Sequence, residues 1–436
     1  MQKSTTLDRA MAEASRCLLC HDAPCSQGCP ASTKPGTFIR KLRFLNLKGA
    51  IATIKENNPF GGVCGVVCPS GTLCKQKCSA TGLDRPIDID MIQRFLVEHG
   101  WEIGFNPLTP GAPNGKKVAI IGSGPAGLAC AADLAVAGFA VTVFEKMPQP
   151  GGMMRYGIPD HRLSVDFVER EIKDITDLGV ELRCNTEIAS QADVDGLLAK
   201  GYSAVFIATG SWQSVAGGLA QRRYENLYDA FAFLRLAKED KAGFTTKVAG
   251  KTVAVFGGGD TAMDAAMSAK LAGAADVLLV YRRSLLEMPS SEEEKQVALA
   301  SGIDFVILTM PTGYLAEGDR ITAVKVVRTR MGAPDESGRR RPQPIPCSEH
   351  PIDVDVVVEA FGLKPQDGIK AFGGLRFTGQ NLIIVDPDTG LAAKDTVYAG
   401  GDAVRGPSIV VQAVADGKRA ARAIVEKLGA AAEGRA

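Results

Sequence analysis

A chain of 436 residues is too long for one hydrophobic core and predicts two to three domains at the usual ~100–200 residues each. Its 45% hydrophobic and 23% charged composition is ordinary for a soluble protein, and 50 basic against 49 acidic residues leave no surplus for nucleic acid. MQKSTTLDRAMAEASR has no apolar stretch fit for a signal peptide, and no run of ~18 apolar residues follows, so the expectation is a cytoplasmic protein without membrane contact.

Eight of the 11 cysteines lie between Cys17 and Cys78. The first set is Cys17-x2-Cys20-x4-Cys25-x3-Cys29-Pro30 and the second is Cys64-x3-Cys68-Pro69-x4-Cys74-x3-Cys78. A reducing compartment disfavours disulfides, so this spacing reads first as metal ligation. Each set contains a Cys-Pro step, and in bacterial ferredoxins the cysteine at that step serves the other cluster, so interleaving of two iron–sulfur clusters is expected. The x4 spacing departs from the ferredoxin run. Zinc is the alternative metal, in a stabilised docking module that carries no electrons. Cys130, Cys184 and Cys347 have no neighbours at ligand spacing and read as buried small apolar residues.

Residues 1–105 read as a helical cluster-binding domain, with apolar residues at helical spacing in FIRKLRFLNLKGAIATIKEN. The proline- and glycine-rich segment NPLTPGAPNGKK at 106–117 ends it. Beyond, short runs such as VAII, VTVF, AVFIATG, VAVF, VLLVY and DVVVEAFG alternate with alanine-rich helical stretches. That alternation predicts an α/β fold of parallel sheets covered by helices.

KVAIIGSGPAGLACAADLAVAGFAVTVFEK predicts strand, tight turn, helix and strand. Gly122 permits the turn, Gly124 lets backbone approach a pyrophosphate, and Gly127 allows close helix–strand packing, with Pro125 and Ala126 opening the helix. Glu145, 23 residues after Gly122, is placed to accept from ribose hydroxyls. Gly151–Gly152 and YAGGDAV at 398–404 favour FAD over NAD here. The plainer reading of Asp402 is a helix cap.

The signature recurs at 257–262 in KTVAVFGGGDTAMDAAMSAKLAGAADVLLVYRRS. Gly257, Gly258, Gly259, Asp260, Thr261 and Ala262 form the turn. Its second strand ends in Arg282–Arg283 where an acid would otherwise stand, which suits a ribose 2′-phosphate and favours NADPH over NADH, although a solvated strand end would look the same. The expected division is a FAD-binding domain at 116–212 and 363–436, with a NAD(P)H-binding domain at 213–362 inserted in it. Two such sites imply hydride transfer from nicotinamide to flavin with no separate catalytic acid or base. No CxxC pair follows the flavin signature, so the clusters are the expected electron exit.

With these motifs in place, the chain resembles the family that includes the small subunit of glutamate synthase and the N-terminal half of dihydropyrimidine dehydrogenase. ASRCLLCHDAPCSQGCP, the second cysteine block and PIDIDMIQRF at 86–95 are most similar to the bacterial NAD(P)-dependent electron-input subunits of dihydropyrimidine dehydrogenase. The resemblance implies that a glutamine replaces one cysteine ligand, falling on Gln93. The ligand sets are then Cys17, Cys20, Cys25 and Gln93 for one [4Fe–4S] cluster, and Cys29, Cys68, Cys74 and Cys78 for the other. Spacing alone favours Cys64 over Gln93. The resemblance also places Met153, Arg162, Gly401, Asp402 and Val410 near FAD, and Ala360, Phe361 and Gly362 beside the nicotinamide nucleotide. The Tyr281–Arg283 segment resembles NADPH-dependent members more than the NAD-preferring pyrimidine enzyme.

The implied function is electron input from NAD(P)H to an FMN-containing catalytic partner with ferredoxin-like clusters that reduces uracil or thymine. The chain ends too soon after the flavin segments to hold that FMN barrel. The small subunit of NADPH-dependent glutamate synthase is the alternative.

Overall fold

The computed structural model describes residues 5–220, 222–334, 338–393 and 396–433. It divides into two compact units, one made of Met1–Arg155, Arg162–Ser211 and Lys364–Ala436, the other of Tyr156–His161 and Trp212–Leu363.

The first unit begins with short helices. Leu7–Ser15, Pro35–Arg43, Leu47–Asn57 and Ile89–Glu102 pack their apolar faces together through Ala10, Phe38, Leu42, Ile51, Ile54, Ile92 and Leu96, all essentially inaccessible. The stretch that reads as one periodic helix is two, because the chain turns at Phe44–Asn46. Leu45 there takes a left-handed φ of +59°, and Asn46 caps the second helix by accepting from the Gly49 amide at 2.9 Å.

The rest of this unit is built on a six-stranded sheet. Its strand order is Leu391–Ala393, Val397–Ala399, Tyr202–Ile207, Lys117–Ile121, Ala140–Phe144, Glu181–Arg183, parallel throughout except for the first pair. Central strands are buried on both sides, as helix-covered parallel sheets require. The helix Pro125–Val136 lies against the long helix Val410–Glu433, and only glycine fits at 417, where a Cβ would stand 2.1 Å from the Ala126 carbonyl oxygen.

The second unit has a five-stranded parallel sheet in the order Leu227–Asp229, Val356–Glu359, Thr252–Phe256, Asp276–Tyr281, Asp304–Ile307. The strand-rich segment between its last two strands in sequence, unmarked by any nucleotide motif, forms an antiparallel sheet of Thr309–Glu317, Arg320–Pro334, Arg340–Pro344 and His350–Asp353. Because the strands flanking this unit in sequence belong to the first sheet, one nucleotide-binding fold is inserted in the other. No helix among the described residues is long and apolar enough to cross a membrane.

Candidate cofactor sites

Four segments distant in sequence converge at the N-terminus of the helix Pro125–Val136. Gly122 has φ +100°, and a Cβ there would press to 2.4 Å from the Ala208 carbonyl oxygen. Gly127 would strike the Gly122 carbonyl at 2.0 Å, whereas a Cβ on Gly124 would meet nothing within 4 Å. Open space above the first-turn amides is what a pyrophosphate needs. Gly152, at φ +53°, packs so close that a Cβ would lie 2.7 Å from Gly124 Cα, and the Gly151 amide donates to the Ser123 carbonyl at 3.1 Å. From the other side Gly401, at φ +66°, abuts Ala126.

Glu145 ends its strand buried. Its Oε2 accepts from the Ser123 amide at 2.8 Å and the Ser123 hydroxyl at 2.5 Å, and its Oε1 accepts from the Met147 amide at 2.8 Å. The carboxylate is thereby oriented by the loop it would serve. Ser123 is a residue that sequence reasoning passed over, although it stands inside the glycine motif.

Asp402 opens the short helix Asp402–Arg405 and accepts from the Ser408 hydroxyl at 2.8 Å. Burial pushes its carboxyl up to about 6, against the opposing effect of Ser408. Beneath it, buried Asp416 accepts from the Gly401 amide at 3.0 Å, from Arg405 Nε at 2.8 Å and from Arg419 at 2.9 Å. Asp416 thus pins the Gly401 turn, and no motif in the sequence marks it. Val410 begins the helix that carries Asp416. Met153 and Arg162 are half-buried, Met153 directly after Gly152.

In the second unit Gly257, at φ +144°, lies against Ala360, and a Cβ on Gly258 would reach 2.7 Å from the Tyr281 ring. Over Gly259 the nearest atom to such a Cβ is Pro289 Cγ at 3.8 Å, which leaves the N-terminus of the helix Asp260–Leu271 open, with Asp260 and Thr261 in its first turn. Phe361 and Gly362 are exposed, Gly362 at φ +107°. The paired arginines separate: Arg282 is exposed, whereas Arg283 is buried and donates through Nε to the Arg340 carbonyl at 2.9 Å. Successive residues at a strand end point to opposite sides.

The eight clustered thiols form two groups. Cys17, Cys20, Cys25 and Cys78 line one pocket with Leu18, Ile39, Ile87 and Ile89. Burial, then the neighbouring Cys78 and Cys17, pushes Cys25 up to about 11, and burial likewise raises Cys17. Backbone amides of Leu19 and Gly36 face Cys17 and Cys25, and the Ile87 amide donates to Cys78 Sγ at 3.5 Å. The second group holds Cys29, Cys64, Cys68 and Cys74. Burial, then Cys29 and Asp90, pushes Cys74 up to about 12, and burial, then Cys74 and Cys29, raises Cys68. Cys64 is fully buried and accepts from Asn58 Nδ2 at 3.3 Å. Thiols raised in this way ionise when a metal supplies the missing positive charge, and amide donors to sulfur suit a cluster. Among the described residues no three His, Cys, Asp or Glu side chains converge on a single-ion site.

This grouping differs from the expected one at two positions. Cys78 stands with Cys17 and Cys25, because the turn after Cys74 returns the chain to the first cysteine loop. Gln93 is buried and donates to the Gly61 carbonyl at 2.6 Å. It follows by one turn Asp90, the carboxylate beside Cys68 and Cys74, and so belongs to the second group's side. Of the three remaining cysteines, Cys130 is buried and Cys184 half-buried. Cys347 is exposed, contrary to expectation, because it occupies a left-handed turn position at φ +58° between two antiparallel strands.

Residues 1–105 match the family model of dihydropyrimidine dehydrogenase domain II with its 4Fe-4S cluster, and residues 116–417 match that of the pyridine nucleotide-disulphide oxidoreductases. The NAD-dependent dihydropyrimidine dehydrogenase subunit PreT of Escherichia coli K12 is 38% identical over 420 residues, 95% of this chain and 93% of the relative. The glutamate synthase [NADPH] small chain of the same organism is 35% identical over 433 residues, 96% and 92%. The solved structure of FprA from Mycobacterium tuberculosis in complex with NADPH shares the fold, with a TM-score of 0.61 at 20% identity over 73% of this chain and 86% of that one. The chain therefore belongs to the family of pyridine nucleotide-dependent oxidoreductase subunits, with an N-terminal iron–sulfur domain, that contains the glutamate synthase small chain and the bacterial dihydropyrimidine dehydrogenase subunit.

Proposed function

We propose that the chain is the NAD(P)H-oxidising subunit of a heteromeric dihydropyrimidine dehydrogenase, delivering electrons through two [4Fe–4S] clusters to an FMN-containing partner that reduces uracil or thymine. The observation that carries this reading is the pair of largely half-buried thiol groups in a helical region packed in the same unit as the flavin-type cradle. When bound, FAD accepts hydride from the nicotinamide and the clusters carry single electrons, chemistry that no side chain supplies. The chain's own residues bind and orient. Gly124 and the first-turn amides hold the flavin pyrophosphate, Glu145 the ribose, and the open turn at Gly259 the nucleotide phosphates, with Arg282 at the 2′-phosphate. Cys17, Cys20, Cys25 and Cys78 hold one cluster. Cys29, Cys68, Cys74 and Gln93 hold the other.

A second reading, the small subunit of glutamate synthase, is favoured by the extent of the match to that chain and by Arg282. Anaerobic purification followed by elemental analysis tests the shared part: about eight irons and eight sulfides per chain are expected for two clusters, and zinc without iron overturns it. Co-purification with an FMN-containing subunit and uracil-dependent NAD(P)H oxidation supports the leading reading. A glutamine amidotransferase subunit in the complex replaces it with the second.

A further inference from the structure

Between Asp22 and Glu56 the chain carries no acidic residue and six basic ones, Lys34, Arg40, Lys41, Arg43, Lys48 and Lys55. Lys55 is buried in ion pairs with Glu171 and Asp174, and Glu56 is exposed at the far end of the helix Leu47–Asn57, so the charge flanking the turn between the helices Pro35–Arg43 and Leu47–Asn57 is carried by exposed Lys34, Arg40 and Lys48, in a chain whose net charge is +1. The turn between these helices exposes 72% of Phe44 and 65% of Leu45, the latter in the left-handed conformation that aliphatic side chains avoid. Two adjacent large apolar side chains turned outward at a strained turn are not what solubility or packing asks for.

The same turn is fastened to the first cysteine loop. Arg43 donates to the Cys17 carbonyl at 3.0 Å and Arg40 to the Leu19 carbonyl at 3.4 Å. Between those two carbonyls lies Leu18, 46% exposed, which also lines the pocket of Cys17, Cys20, Cys25 and Cys78. Leu18 thus lines that thiol group, and the turn that exposes Phe44 and Leu45, with exposed Arg40 and Lys48 to either side of it in sequence, is bonded to the same loop. Apolar centre and charged rim are the anatomy of an interface, and a cationic rim steers an anionic partner.

We propose that this surface is the docking site for the electron-accepting partner, and that the partner meets it with an acidic-rimmed apolar patch above its own one-electron centre. The proposal rests on the reading of these thiols as a cluster site. Electrons leave at Leu18 by transfer to the docked acceptor. One NADPH yields NADP⁺, one proton and two electrons, which reduce two ferric haems when a haem protein is the acceptor.

Two haem acceptors of opposite charge test it with the full-length, cluster-loaded protein: the acidic soluble domain of cytochrome b5 and basic cytochrome c, with ferricyanide as a small-molecule control. The acidic acceptor is expected to show a KM that rises steeply with salt. Arg40→Glu with Lys48→Glu should raise that KM about tenfold, and Phe44→Ser about threefold, while ferricyanide reduction stays at the parent rate. Preference for cytochrome c, or a KM for the acidic acceptor indifferent to salt and to all three substitutions, would overturn the surface alone. A chain that reduces ferricyanide but contains no iron brings down the cluster reading and this surface with it.

Discussion

Arg282 and Arg283 are adjacent in sequence and opposite in environment, and only the first is free to meet a ligand phosphate. Arg282→Ala is expected to weaken NADPH by roughly 10- to 150-fold, the equivalent of about 1.5–3 kcal/mol for a charge-assisted bond, and to leave NADH nearly unchanged. Arg283→Ala should instead lower the melting temperature and affect both nucleotides alike, because its guanidinium holds the Arg340 backbone. Nucleotide titrations on the two variants separate these roles. The double-arginine pattern was visible in the sequence; which member faces outward was not, because that depends on a strand 57 residues away. A similar limit applied to Cys78, whose spacing announced metal ligation, and to Gln93, which only the family resemblance marked: neither signal told which group the residue joins. If Gln93 completes the second cluster, Cys64→Ser keeps iron content near eight and leaves the magnetic-resonance spectrum unchanged, whereas Gln93→Ala perturbs one of the two cluster signals. Loss of a cluster in Cys64→Ser, with a silent Gln93→Ala, would assign that place to Cys64.

At the scale of elements, the glycine turns and the strand–helix–strand units were readable because their chemistry is local: φ above zero, close approach and alternation leave marks within ten residues. What joins elements was not readable. Glu171, on the helix Val165–Thr176, accepts from the Gly62 and Val63 amides at 2.9 and 2.8 Å and so caps the helix that bears Cys64, while Lys55 bridges it to Asp174. Burial opposes a charge on Lys55, yet the two carboxylates outweigh it and raise its pKa. Residues more than 100 apart, each of an ordinary surface type, carry no signal of such a contact. Glu171→Ala would leave Lys55 and two amides short of an acceptor and should cost about 3–5 kcal/mol in a denaturation experiment. Glu13 fastens another junction, accepting from Arg85 at 2.7 Å and from the Asp88 amide at 2.8 Å. Burial raises its pKa, but these donors and Arg16 outweigh that and leave it lowered. The folded state therefore prefers the ionised form. Its contribution is complete above the unfolded value of about 4.3 and is lost as pH falls through the lowered folded value. Melting temperatures between pH 6 and 3 should fall less in Glu13→Gln than in the parent, with the variant about 1–2 kcal/mol less stable at neutral pH.

At the scale of the whole molecule, hydride receipt and electron exit are assigned to different stretches of chain, and this makes them separable by mutation. The residues proposed for flavin and nucleotide lie between Gly122 and Val410, with Glu145, Asp402 and Arg282 all outside the helical region that holds the eight thiols. Among the described residues, none of the hydrogen bonds that orient Glu145 or Asp402 comes from a residue before Ser123. Cys17→Ser with Cys78→Ser removes two of the four thiols in the first group, and both side chains lie at the rim of the helical core rather than inside it. The double variant is therefore expected to fold, to retain one FAD and to reduce ferricyanide with NAD(P)H at the parent rate. Iron should fall from about eight to about four per chain, and reduction of a protein acceptor should drop at least tenfold, because the remaining cluster has lost its neighbour on the way out. Parallel loss of FAD and ferricyanide activity would mean that the helical region supports the flavin site structurally, and unchanged delivery to a protein acceptor would mean that electrons leave by another route.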